Sequence, residues 1–237
     1  MRSAALQVDY KPAGFLRDML RVARKDLVIE FRTRSAFLAA GVFSLLSVAI
    51  FKFTWEPAAV SSLDVAPGVL WVIFTFSGLL GLHRSFGVEL ADRALDALLA
   101  SPMSRESVFA GKALANLAFV ACVQIMTIPA IALFFDLPSG QFWYLIIAAS
   151  FLASVGLTAI GTLFAAVTAN TRLAELLLPM LALPFFIPVV IPAAQATSLL
   201  LAGRPFDEVW GWLKLLLAFD IIFVAACTVA FPYTLEE

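Results

Sequence analysis

Residues 84–112 read RSFGVELADRALDALLASPMSRESVFAGK, and they hold eight of the chain's 33 charged side chains with a long apolar run on each side. The chain as a whole is 62% hydrophobic and only 14% charged, against roughly 25% charged residues in a soluble domain. Several apolar runs exceed the ~18 residues that separate a membrane span from a buried core helix. An integral membrane protein follows, and the charged stretch is then a short structured insert between two spans. Such an insert suits a membrane subunit that takes instructions from a soluble partner. The net charge of −1 says little by itself, and no nucleic-acid partner is expected.

Working outward, six spans are predicted, at about 35–53, 67–86, 108–135, 142–169, 172–191 and 210–231. The first 34 residues are too charged for a secretory signal, and the first apolar run is long enough to span and stay. The chain divides into an N-terminal segment, 1–34, and a six-span domain, 35–237, whose cytoplasmic insert covers 87–107. Lys and Arg placement sets the orientation. With both ends cytoplasmic, 13 basic residues fall on the inner side and 3 (Lys52, Arg204 and Lys214) on the outer. Both termini are therefore expected in the cytoplasm.

Residues 15–31 do not form a span. On a helical wheel Phe15, Leu16, Met19, Leu20, Ala23 and Leu27 share one face, and Arg17, Arg21, Arg24 and Lys25 the other. A basic amphipathic helix of this kind lies in the membrane interface, with its cations near anionic headgroups. It is expected to be an elbow bracing the bundle; the plainer alternative is a basic tail that only sets topology. Ser77, Gly81 and Ser85 in the second span, and Ser150, Ser154, Thr158, Thr162 and Ala166 in the fourth, recur every four residues. Such stripes let backbones approach closely in lipid, either within the chain or against a second copy. In the fifth span Pro184, Pro188 and Pro192 follow Pro179. Each removes an amide donor, and the run to residue 202 is long for one crossing. A span ending near Val190 and then an interfacial or re-entrant segment is expected, with one long kinked helix as the alternative.

Within the insert, Leu90, Ala91, Leu95, Leu98 and Leu99 fall on one helical face and Asp92, Arg93 and Asp96 on the other. Pro102 stops that helix, and Ser104 is placed to cap the next. An apolar face with a charged back suits the membrane interface or a groove in a partner. Glu89, Leu90, Asp92, Leu95, Leu98, Leu99 and Arg105 are the candidate contacts to such a partner. Three sharper readings fail or weaken. Ala110-Gly111-Lys112 is no phosphate loop, because Glu106 and Ala113 stand where Gly and Ser or Thr are required. Asp92 and Asp96 make a DxxxD, but a metal needs more oxygens, and Arg93 is a poor neighbour. His83, the one histidine, suits an interfacial hydrogen bond better than haem ligation. Cys122 and Cys227 sit inside apolar runs, as small core residues do. Gln124, Glu175, Gln195 and Asp220 are the scattered intramembrane polar groups. Asp220 is expected to face the bundle interior with Gln124 as its partner, or to line a water-filled cavity.

Residues 65–117 resemble the CcmB family, the membrane subunit of the cytochrome c maturation ABC transporter. The likeness rests on Ala66-Pro67-Gly68 opening the second span with Trp71 behind it, on Leu98-Leu99-Ala100-Ser101-Pro102 closing the insert, and on Lys112 leading the third span. It extends over most of the chain through length, basic N-terminal helix, span number and the proline-rich fifth span. His83-Arg84 departs from the family's acid and arginine, and no glycine stands near Arg93. The resemblance implies an all-α, ABC-2 exporter-like fold with an elbow helix, six spans and a cytoplasmic coupling helix, in the bacterial inner membrane. It implies a non-catalytic subunit with ATP bound only by a CcmA-like ATPase, and CcmC-like, CcmD-like and CcmE-like partners. Haem is the candidate substrate, with no covalently bound cofactor. ATP hydrolysis would drive haem export or release of the haem-loaded chaperone. An ABC-2 permease for another substrate, a membrane enzyme and a static scaffold are the rival readings.

Overall fold

The computed structural model describes residues 14–55, 60–91, 103–140, 142–169, 171 and 173–235, without the side chains of residues 83–91, 175 and 235. The described residues form seven α-helices: α1 Phe15–Thr33, α2 Ser35–Thr54, α3 Ser62–Ala91, α4 Arg105–Phe134, α5 Trp143–Ala169, α6 Ala174–Leu201 and α7 Phe206–Ala230, then a 3-10 turn Phe231–Leu235. Six segments are long and apolar enough to cross a membrane: Ser35–Thr54, Ser62–Leu82, Arg105–Phe134, Trp143–Ala169, Leu176–Leu201 and Phe206–Thr234. The six expected spans are all present.

Consecutive spans run in opposite directions, so the bundle has two distinct ends. At one, the last turn of α2 meets the last turn of α4: Lys52 pairs with Asp136 at 3.4 Å, and Trp55 stacks on Phe135. A small apolar cavity at this end is lined by Leu70 of α3, Ile131 of α4, Trp143 and Ile146 of α5 and Leu201 of α6. At the other end α1 packs along the start of α4, and the chain after α7 folds against the same turn, with Phe231 on Phe109.

The centre belongs to α3 and α5, the two most buried spans at 72% and 67%. Their small-residue stripes explain why. Ser150, Ser154, Thr158, Thr162 and Ala166 are all buried, a Cβ at Gly81 would strike the Phe119 ring, and one at Gly161 would strike Leu82. Close approach of backbones is what such stripes permit in lipid, and here it is used within the chain.

The fifth span departs from the expectation of a break. α6 is one helix from Ala174 to Leu201, with Pro179, Pro184, Pro188 and Pro192 inside it. Pro184, Pro188 and Pro192 are four residues apart, so the missing amides lie along one narrow stripe. The buried positions Leu178, Ala182, Phe186, Val189, Ala193, Ala196 and Leu200 run past them on a regular three-and-four spacing. Pro179, Pro184 and Pro188 lie outside these buried positions, while Pro192 is buried beside Ala193. The helix stays continuous because its packing against the neighbours runs on through the prolines. At 28 residues it is about 42 Å long, more than a hydrocarbon core of about 30 Å; tilt or protrusion absorbs the excess.

Candidate functional site

Polar groups gather in two places, the bundle interior and the end that carries α1. In the interior they form pairs between helices. Ser44 of α2 meets Ser77 of α3 at 2.8 Å, and Trp71 Nε1 of α3 donates to Thr197 Oγ1 of α6 at 3.1 Å. Asn116 Nδ2 of α4 donates to Thr162 Oγ1 of α5 at 2.9 Å. Many of these hydroxyls also donate back to the carbonyl four residues earlier, as Ser44, Thr75, Thr127, Thr158 and Thr197 do. That satisfies the O–H inside the helix and leaves a lone pair for a neighbour.

Gln124 is buried, and its amide donates to Ser154 Oγ at 2.7 Å and to Ser150 O at 3.3 Å, both on α5. The expected Gln124–Asp220 pair therefore does not form. The four-residue polar stripe on α5 takes the amide first, because α4 lies beside that stripe. Asp220 does face the bundle interior, at 3% exposure, where it meets Gly156 of α5. The Glu175 side chain lies outside the described residues, although its backbone opens α6.

At the α1 end the geometry is tighter. Lys112, fully buried, sits 3.2 Å from Asp26 Oδ2 of α1, and Lys25 sits 3.0 Å from Oδ1 of the same carboxylate. Beside it, a Cβ on Gly111 would collide with Val22 and with the Met19 carbonyl. So Gly111-Lys112, which looks like a fragment of a phosphate loop, is the seat of α1. The face that docks is Asp18, Val22, Ala23 and Asp26, an edge of the wheel; Leu16, Leu20 and Phe31 stay exposed. Sequence reasoning grouped apolar against basic residues and so missed this edge. The signal was there in Asp18, Val22 and Asp26 recurring every four residues.

Of the ATPase-contact candidates, Glu89 and Leu90 stand in the last turns of α3, where side chains are not described; Asp92, Leu95, Leu98 and Leu99 lie outside the described residues. Arg105 is described, and its Nη1 donates to the Pro232 carbonyl at 3.0 Å, tying the chain beyond α7 to the first turn of α4. Ser104 caps α4 as expected, accepting from the Ser107 amide at 3.2 Å in extended backbone. No group of three His, Cys, Asp or Glu side chains suited to a metal occurs among the described residues.

The chain is 32% identical to the heme exporter protein B of Paracoccus denitrificans over 76% of this chain and 82% of that one. It is 30% identical to that of Rhodobacter capsulatus over 75% and 81%, and 28% identical to that of Pseudomonas aeruginosa over 84% and 88%. Residues 17–237, from α1 through all six spans, match the CcmB protein family, and the chain belongs to that family.

Proposed function

We propose that this multi-pass chain works as heme exporter protein B, the permease subunit of the cytochrome c maturation transporter, and catalyses no reaction itself. Membership in the CcmB family over residues 17–237 carries this reading. The bundle supplies the physical support. Its two ends are chemically unlike, one gathering most of the basic residues around α1 and residues 84–112, the other holding Lys52, Arg204 and Lys214. Basic residues stay cytoplasmic, so the α1 end and both termini face the cytoplasm. There α1 acts as the elbow, its exposed Leu16, Leu20 and Phe31 against lipid. The insert between α3 and α4 acts as the coupling helix for a CcmA-like ATPase.

The seating of α1 on Gly111 and Lys112 gives that arrangement a mechanical consequence. The first turns of α4 follow the insert directly, and they hold both α1 and the turn after α7. A push on the insert is therefore delivered to three elements together. The packed interior then switches between two arrangements rather than deforming smoothly. Haem export and release of a haem-loaded CcmE-like chaperone are both compatible with such a switch, alongside CcmC-like and CcmD-like partners. Affinity purification from detergent, followed by identification of what co-purifies, tests the assignment. An ATPase and haem-handling proteins are expected. Co-purification with an ATPase of an unrelated exporter, and no haem protein, would overturn it.

A further inference from the structure

Asp220 stands midway along α7 with 3% of its surface exposed, and neither carboxyl oxygen has a hydrogen-bond partner among the described residues. Oδ1 rests against Gly156, so close that a Cβ there would overlap it, and Val189 of α6 borders the same spot. The Gly156 N–H is already committed to the α5 ladder, which runs from each amide to the carbonyl four residues back. Among the described residues no cation is found at this junction. α5 contains no charged residue, and the charge on α6 is Glu175, about 21 Å along the axis from Val189. On α7, Asp207 and Glu208 lie in the first turn, and exposed Lys214 sits over the Trp210 ring at 5.3 Å. Cys227, buried two turns further on, is the remaining titratable side chain on that face. From α4, Arg105 and Lys112 are engaged by Pro232 and Asp26.

An ionised carboxylate in the hydrocarbon interior is strongly unfavourable without a counter-charge or donors. A carboxylic acid carries no such penalty, and it is small enough for the notch over Gly156. We propose that Asp220 is a proton-binding site, occupied in this arrangement, and that the bound proton allows α5, α6 and α7 to close on one another at Gly156. Releasing the proton leaves a carboxylate that needs water, so the site empties only as the three helices part. This goes beyond the transporter assignment and does not depend on it.

Infrared spectra of the purified wild-type chain and of Asp220→Asn at neutral pH test the proposal. The wild type is expected to show the C=O stretch of a protonated carboxylic acid, above the amide I region, and Asp220→Asn to lack it. Carboxylate stretches that vanish in Asp220→Asn would overturn the proposal. If Asp220→Asn fails to accumulate, dicyclohexylcarbodiimide on the wild type decides instead. A carboxylic acid adds its O–H across the reagent's C=N bond, and acyl migration leaves an N-acylurea on the carboxyl. An adduct mapped to Asp220 is expected, and no adduct there overturns the proposal. Protection by sodium or potassium would also overturn it, since the site would then hold a metal cation.

Discussion

Lys112 and Asn116 stand one turn apart on α4 and show how differently two buried polar contacts behave. Lys112 is an ammonium with no exposed surface, 3.2 Å from the Asp26 carboxylate. Asn116 makes a neutral bond of 2.9 Å to Thr162. Removing one partner of a buried ion pair costs about 3–5 kcal/mol, whereas neutral interhelical bonds in membranes average about 0.6 kcal/mol. Asp26→Asn is therefore expected to lower the thermal midpoint in detergent far more than Asn116→Ala. Replacing both ends of the ion pair, as Asp26→Leu with Lys112→Met, is expected to recover much of the loss. Equal midpoints for Asp26→Asn and Asn116→Ala would contradict this ranking. Neither contact was legible in the sequence. A lysine at the start of a span reads as a flanking charge, and its burial depends on a helix 86 residues away.

At the scale of elements, legibility followed periodicity. The six spans and the helix of the first 34 residues were readable because apolar runs and a two-faced wheel are local patterns. So was the Ser104 cap, a matter of three residues. The continuity of α6 was misread because four prolines were weighed one at a time, as breaks. The buried seam from Leu178 to Leu200 keeps its spacing past all four, with Pro192 itself buried beside Ala193, and packing along it supports the helix. The docking of α1 was missed for the same reason, since the decisive edge mixes acids with small apolar residues. Gly111 gives that docking a sharp test. A Cβ there meets the Met19 carbonyl, a backbone atom, as well as Val22, so rotamer changes cannot relieve the clash. Overpacking a fitted contact costs about 1–3 kcal/mol. Gly111→Ala is expected to lift α1 from α4 while leaving the six spans intact. Cysteine accessibility in a Val22→Cys background reads this out, with faster labelling in the Gly111→Ala variant. Unchanged labelling would mean that α1 is held elsewhere.

Across the whole molecule, function depends on which end faces the cytoplasm and on what reaches residues 84–112 from there. Six crossings put both termini on one side, and the placement of the basic residues is the ground for expecting that side in the cytoplasm. A reporter active only outside the cytoplasm is expected to be silent after Glu237 and active when inserted beside Asp136. The opposite pattern would invert the bundle and remove any contact between the insert and a cytoplasmic ATPase. With that orientation, the insert's own pattern makes the final prediction. On a helical wheel Leu95 and Leu98 fall on the same apolar face, a pattern that suits contact with either the ATPase or the bilayer surface. A carboxylate buried unpaired in a protein groove is costly, whereas at the interface it turns toward water with little loss. Leu95→Asp with Leu98→Asp should therefore leave membrane insertion and accumulation unchanged. In a protein groove the double variant loses co-purification of the ATPase and, with it, cytochrome c maturation. Against lipid it keeps both. Loss of ATPase binding at normal protein level is the expected result, because the α4 turns that follow the insert already grip α1 and the chain after α7, which gives an ATPase pushing here a lever on the whole bundle.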